Sequence, residues 1–161
     1  VIRRTSLKRS TKRLRTRKPL PRDEQAAKEA ALILLWGRAC IPHGFPVCEV
    51  GLPGCAELSE VKLDPHHRLK QSQGGPWEVA NLLAACRPCH EVISDTRAEY
   101  YREGWLVKSG GGTAKLRWRS GGTPAWELTP VLRRGVLVRL RPDGRFDVLG
   151  EQEIREWTDA A

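Results

Sequence analysis

Methionine is absent from this chain of 161 residues, position 1 included, which fits an unusual start codon or a trimmed chain. Aromatic residues are scarce at 6%, and six of them are Trp. No apolar run approaches the roughly 18 residues a membrane span needs. The longest lies near residues 30–36, and the basic start has no apolar signal region behind it. Those absences predict a cytoplasmic protein with no membrane partner. Acidic residues are missing from positions 1–22. Cysteine is present five times, an odd number for a closed disulfide set. Metal binding in a reducing compartment suits that count better.

What is present is positive charge. Twenty-eight Lys and Arg stand against 19 Asp and Glu, for a net +9. That suggests a polyanionic partner, most commonly nucleic acid, although charge alone does not separate DNA from RNA or from a membrane surface. The length suits one domain, or one domain with an ordered appendage.

Ten of the basic residues fall in positions 1–22, among them Arg3, Arg4, Lys8 and Arg9. Thr and Ser fill most of the gaps and no helical or strand period persists. This reads as an arm, disordered in isolation, that lies along phosphates without reading sequence. A helix is predicted over 23–38, with Asp23 as its cap and Gly37 near its end.

The cysteines suggest a metal site. Cys48 and Cys55 are followed by Cys86 and Cys89, the second pair with the tight C-x-x-C spacing. Zinc favours four ligands in a tetrahedron, and thiolates are its usual structural choice. The natural set is Cys48, Cys55, Cys86 and Cys89. Cys40 and His43 form a C-x-x-H pair nearby, and a site drawing on either, or ordinary buried thiols without a metal, are the alternatives.

Three of the four histidines cluster around the second cysteine pair. His66 and His67 sit on a short strand predicted over 61–67, where neighbouring side chains leave in opposite directions. One can therefore bind a metal while the other stays free. His66 is the candidate ligand and His67 the candidate base. Asp64 alternates with His66 and, like Asp95, is a further candidate for the ion. Arg68, and less specifically Lys70, are placed to hold a phosphate oxygen. Residues 69–80 form a loop turning at Gly74-Gly75-Pro76, pinned by Trp77. Asn81 either orients an imidazole or holds a backbone turn. A strand over 82–85, the cysteine pair and a helix beginning near His90 bring that histidine back toward His66.

Beyond it, a helix over 95–103 ends at Gly104, and residues 105–107 form a packed extension. Gly110–112 and Gly121–122 read as flexible. Residues 115–119 alternate like a strand with one basic face. A hairpin is expected over 136–149, turning at Pro142-Asp143-Gly144. Arg133, Arg134, Arg139 and Arg141 suit a cover over the core that also touches phosphates.

Taken together, Cys48, Cys55, His66-His67-Arg68, Gly74-Gly75, Asn81-Leu82 and Cys86-Arg87-Pro88-Cys89-His90 resemble the HNH endonucleases, in particular the small ones of bacteriophages and prophages. The match covers about residues 48–105, and Arg3 to Arg9 is similar to the start of many phage members. The resemblance implies an α+β fold with a zinc-braced ββα-metal core. A basic arm (1–22) would precede a nuclease domain with its helix (23–105), and a β-rich extension (106–161) would follow. It implies a catalytic site of His67, Asn81, His66 and His90. His67 would be the general base, and His66 and His90 would hold a divalent ion (Mg, Mn, Ni or Zn). It further implies DNA as substrate, products with a 5′-phosphate and a 3′-hydroxyl, terminase or packaging proteins as partners, and a bacterial host cytoplasm as the setting. Many relatives place another His four residues beyond His90, where this chain has Ser94. The competing expectation is a zinc-dependent nucleic-acid-binding protein without catalysis.

Overall fold

The computed structural model describes residues 20–41, 43–55, 62–108 and 123–160. The basic arm up to residue 19, the strand expected over 115–119 and both glycine runs lie outside them. The chain is a small α+β structure carrying a four-cysteine cluster. Among the described residues, no helix is long and apolar enough to cross a membrane.

The first helix, α1 (Arg22–Ala39), begins one residue earlier than expected. Pro21 precedes it, and no side chain caps it, so Asp23 serves in the first turn rather than as the cap. A carboxylate there still favours the positive end of the helix dipole. Gly37 lies inside the helix. Ala31, Leu35 and Ala39, spaced by four, form the buried stripe.

A hairpin follows. Strand β1 (Leu63–His67) pairs antiparallel with β2 (Leu82–Cys86), setting Asp64 opposite Ala85, His66 opposite Leu83 and His67 opposite Leu82. Alternation along β2 gives the hairpin two different faces. Leu82 and Ala84 pack with Ala31, Leu35 and Ala39 of α1. Leu83 and Ala85 pack on the other side, in the larger cluster with Ile93, Trp105, Trp126 and Val138. Every residue of β2 is buried, which is why this strand reads as an unbroken apolar run.

Helix α2 (Arg87–Ile93) starts directly from β2, with Pro88 in its first turn, where a missing N–H costs nothing. The expected helix over 95–103 is shorter. A break at 94–97 separates α2 from α3 (Ala98–Arg102). Gly104 then closes against the backbone: a Cβ there would lie 1.8 Å from the Pro130 carbonyl oxygen. Residues 105–107 are buried, as a packed extension requires.

The C-terminal part holds α4 (Ala125–Leu128), a three-stranded antiparallel sheet of β3 (Val131–Arg133), β4 (Val136–Leu140) and β5 (Phe146–Val148), and α5 (Glu151–Ala160). The β4–β5 hairpin matches expectation. Strand β3 and both helices were not foreseen. The β3–β4 turn is Arg134-Gly135, both at positive φ, the combination a two-residue I′ hairpin turn needs. Val131, Val138 and Leu140 join the same core as Leu83 and Ala85.

Candidate metal centres

The four thiols of Cys48, Cys55, Cys86 and Cys89 converge, with their sulfur atoms all within 4.8 Å of one another. A turn, a strand and a helix deliver them. Cys48 and Cys55 flank a turn in which the Cys55 N–H donates to Leu52 O at 2.8 Å. Cys86 ends β2 and Cys89 lies in the first turn of α2. Sulfurs at the corners of a zinc tetrahedron with Zn–S near 2.3 Å sit about 3.8 Å apart. The Cys55 and Cys86 sulfurs are 3.8 Å apart. Burial, then the neighbouring Cys48, pushes the Cys55 thiol up to about 12, and burial raises Cys89 likewise. Four close thiols cannot all ionise without a cation, and a cation among them inverts that penalty. The donor set therefore fits a structural zinc. Cys40 stands apart from the cluster, and His43 packs near Phe45, so neither belongs to this set.

A lock holds the first pair, and the sequence does not advertise it. Glu49, next to Cys48, is fully buried. It accepts from Arg38 Nε at 2.8 Å, from Arg38 Nη2 at 2.9 Å, from Arg133 Nε at 3.1 Å and from the Ala84 N–H at 2.8 Å. Burial works against its carboxylate. The Arg38 guanidinium foremost, helped by Ala84 and Arg133, outweighs that and holds its pKa below the ordinary value. Arg134 adds a bond from Nη1 to Cys48 O at 3.2 Å. The cysteine loop is thus tied to α1, β2 and the β3–β4 hairpin. No local signal finds Glu49, because its partners lie up to 84 residues away.

The histidines are divided by the hairpin. His66 faces α2, where its ring meets His90 edge to face with centroids 5.2 Å apart. Its Nε2 lies 3.1 Å from Trp105 O. A carbonyl only accepts, so Nε2 carries the proton and Nδ1 keeps its lone pair. That tautomer can ligate a cation through Nδ1. Burial first, and then the facing His90, pushes the His66 pKa down to about 3.

His67 faces the α1 side. Its ring meets Trp77 edge to face at 4.5 Å, and Lys28 of α1 sits 5.0 Å over Trp77. Burial pushes the His67 pKa down to about 4. His67 Nε2 and Trp77 Nε1 are the buried side-chain polar atoms without a hydrogen-bond partner among the described residues.

Two acids considered for the ion are engaged elsewhere. Asp64 lies 3.5 Å from Arg87, and Asp95 lies 3.4 Å from Arg97. Lys70 reaches the end of α2, donating from Nζ to Ser94 O at 3.1 Å.

Asn81 takes the second of its two expected roles. Its Oδ1 accepts from Leu69 N at 2.8 Å, and its Nδ2 donates to Leu69 O at 3.2 Å and Pro76 O at 3.1 Å. It clamps the loop between the strands. Gly75 fits beneath that clamp only without a side chain, since a Cβ would lie 1.8 Å from Leu69 O.

Arg68 requires a correction. It was expected to hold a phosphate, but its side chain is fully buried. Its Nε donates to Gly104 O at 2.7 Å. The two Nη groups donate to Ala80 O at 3.2 Å, Trp126 O at 2.7 Å, Thr129 O at 2.6 Å and Pro130 O at 3.2 Å. With its donors spent on backbone carbonyls, it has none left for a ligand. Burial, with repulsion from Arg38, lowers its pKa to about 9, so it stays protonated at neutral pH. The C-terminal arginines are likewise engaged within the fold. Arg133 and Arg134 serve the cysteine loop as above, Arg139 pairs with Glu153, and Arg141 pairs with Asp147.

No protein-family model, curated protein or solved structure matches this chain.

Proposed function

We propose that the chain is a metal-dependent endonuclease that hydrolyses DNA phosphodiester bonds, an HNH enzyme of the phage or prophage type. The observation that carries this reading is the His66–His90 pair, a strand histidine and a helix histidine 5.2 Å apart, with the first fixed in a metal-competent tautomer by Trp105 O. Beside it stands a separate set of four cysteines able to brace the fold.

In this reading His66 and His90 hold a divalent ion, which supplies charge neutralisation at the scissile phosphate and the leaving oxygen. His67 is the general base in this reading; its Nε2, buried without a partner and on the opposite side of β1 from His66 and His90, would have to open to water as DNA binds before it takes the proton. Its lowered pKa keeps it neutral at pH 7, so the lone pair is available. A phosphate anion placed nearby would raise that pKa and strengthen the base. Asn81 acts on the backbone, holding the loop that follows His67. DNA is the preferred substrate, on the resemblance and the +9 charge. The basic arm, with Arg3, Arg4, Lys8 and Arg9, is assigned to phosphate contacts, and terminase or packaging proteins remain the partners that the resemblance suggests.

A plasmid-nicking assay tests this. Zinc-loaded protein should nick only when magnesium, manganese or nickel is added, and His67→Ala should lower the rate by roughly 10²–10⁴-fold, the usual yield of a general base. The acid limb of kcat/KM should fall below the ordinary histidine value of about 6.5, because protonation silences the base. Nicking by His67→Ala at the parent rate, in protein free of contaminating nuclease, removes His67 from the mechanism.

A second reading, a zinc-dependent nucleic-acid-binding protein without catalysis, is favoured by one observation. Among the described residues neither Asp64 nor Asp95 converges with His66 and His90 into a group of three donors, which leaves two imidazoles as the ligands on the histidine side. Absence of nicking under every divalent ion, with DNA binding retained, would select it.

A further inference from the structure

We propose that a cavity beside the histidine face binds one unpaired nucleotide of a DNA strand, with Tyr101 and Trp157 stacking on its base and Arg102 and Lys108 meeting its phosphate. This deepens the nucleic-acid reading above and rests on it, adding the state of the strand and the residues that hold it.

The cavity encloses about 570 Å³ between α3, residues 106–108, α4 and α5. That lies inside the roughly 300–1,000 Å³ span of small-ligand pockets. Its described lining contains two aromatic rings and two cationic side chains but no carboxylate. The absence matters because acids pair with many of the exposed arginines elsewhere. Arg97, Arg139, Arg141, Arg145 and Arg155 each sit within ion-pair distance of Asp or Glu, whereas Arg102 has no such partner among the described residues. Lys108 Nζ lies 5.7 Å over the Tyr101 ring, so a cation and an aromatic face share one wall.

Flat rings with cations and no acid suit a planar base joined to a phosphate. A base inside a duplex cannot offer its face, so the ligand must be unpaired or flipped out. The position suits a substrate flank. The Trp105 carbonyl that fixes His66 is one residue from Leu106, which lines the cavity, and Val107 N donates to Arg68 O at 2.8 Å.

Photocrosslinking tests the site directly. The full-length, zinc-loaded protein is irradiated with an eight-residue oligothymidylate carrying 5-bromodeoxyuridine, and the linked peptides are sequenced. Links at Tyr101 or Trp157 are expected. In anisotropy titrations with the same strand, Trp157→Leu should weaken binding roughly ten-fold, as loss of one stacked base does. Arg102→Gln with Lys108→Gln should flatten the salt dependence by about one to one and a half in log–log slope. Thymidine monophosphate serves as the second arm. Links formed with it but not with the strand overturn the strand assignment. Links confined to other residues, or parent-like affinity in both Trp157→Leu and Tyr101→Leu, overturn the site. The crosslink reads unmodified protein, so a variant that fails to fold does not protect the proposal. Nicking is scored separately. Nicking without cavity links removes only this inference, and cavity links without nicking remove only the cleavage.

Discussion

The cysteine cluster and the histidine pair stand on the same hairpin and helix, yet they are built on opposite plans. All four thiols point at one centre, three of them buried, and Glu49 nails their loop to three neighbouring elements. The histidines do not share a centre. His66 and His90 face each other on the α2 side, and His67 leaves the strand toward α1 and Trp77. A full tetrahedral donor set has no vacancy for a substrate and serves as folding energy. A pair of imidazoles leaves coordination positions open and contributes little to holding the chain together. Closure and availability are alternatives for one ion, and Cys89 and His90, consecutive residues of α2, fall on different sides of that division.

The strongest way to break that comparison is to damage one ligand of each kind. Cys89→Ser should abolish zinc retention and the cooperative melt, because structural zinc supplies on the order of 10 kcal/mol in small modules. His90→Ala should leave one zinc per chain and shift the melting temperature by only a few degrees, about the effect of 1 kcal/mol. Zinc analysis beside circular dichroism reads both. Equal damage from the two substitutions would mean that the histidines also hold the fold.

Arg68 sharpens the contrast from the scaffold side. Arg68→Met should cost roughly 3–5 kcal/mol in urea unfolding, since removing a buried charged donor strands the carbonyls it served. Zinc content should not change, because the residue touches neither cysteine loop. Loss of zinc in this variant would tie the two regions into one cooperative unit.

The last expected effect is on acid stability. The folded His66 pKa, about 3, lies below its ordinary 6.5. The unfolded chain therefore takes up the proton first as pH falls. Its stabilising contribution is complete above about pH 6.5 and is lost progressively toward pH 3, at up to about 1.4 kcal/mol per pH unit. His66→Asn should flatten that dependence in unfolding curves measured between pH 6.5 and 4.5. An unchanged slope would place the acid sensitivity in His67, whose pKa is also lowered by burial, or in the thiols.

Much of the hairpin and its site was legible in local pattern. Asn81 before an apolar run, C-x-x-C after it and a histidine in the next turn locate β2 and α2 to within a residue or two. The cysteine set was legible because structural zinc is held mostly by cysteines and histidines, and only a few spacings bring four together. Arg68 was misread for a physical reason. A surface arginine beside a histidine and a core arginine bonded to carbonyls of Gly104, Trp126 and Thr129 look identical in sequence. The break at 94–97 was missed because Ser94, Asp95 and Thr96 suit either a turn or a helix end. Strand β3 was missed because three residues are too few to display alternation.

The sequence by itself determined the chemistry on offer: thiols in metal spacing, adjacent histidines sent to opposite faces by strand geometry, and an excess of positive charge. Only the tertiary structure decided which charges are free. Glu49 and Arg38 became a lock, Arg68 became a buried clamp, and Arg102 and Lys108 were left facing a cavity whose described lining holds no acid. The physical reason is that a residue type fixes charge and donor count locally. Burial and partners are set by segments tens of residues away, and no short pattern encodes them.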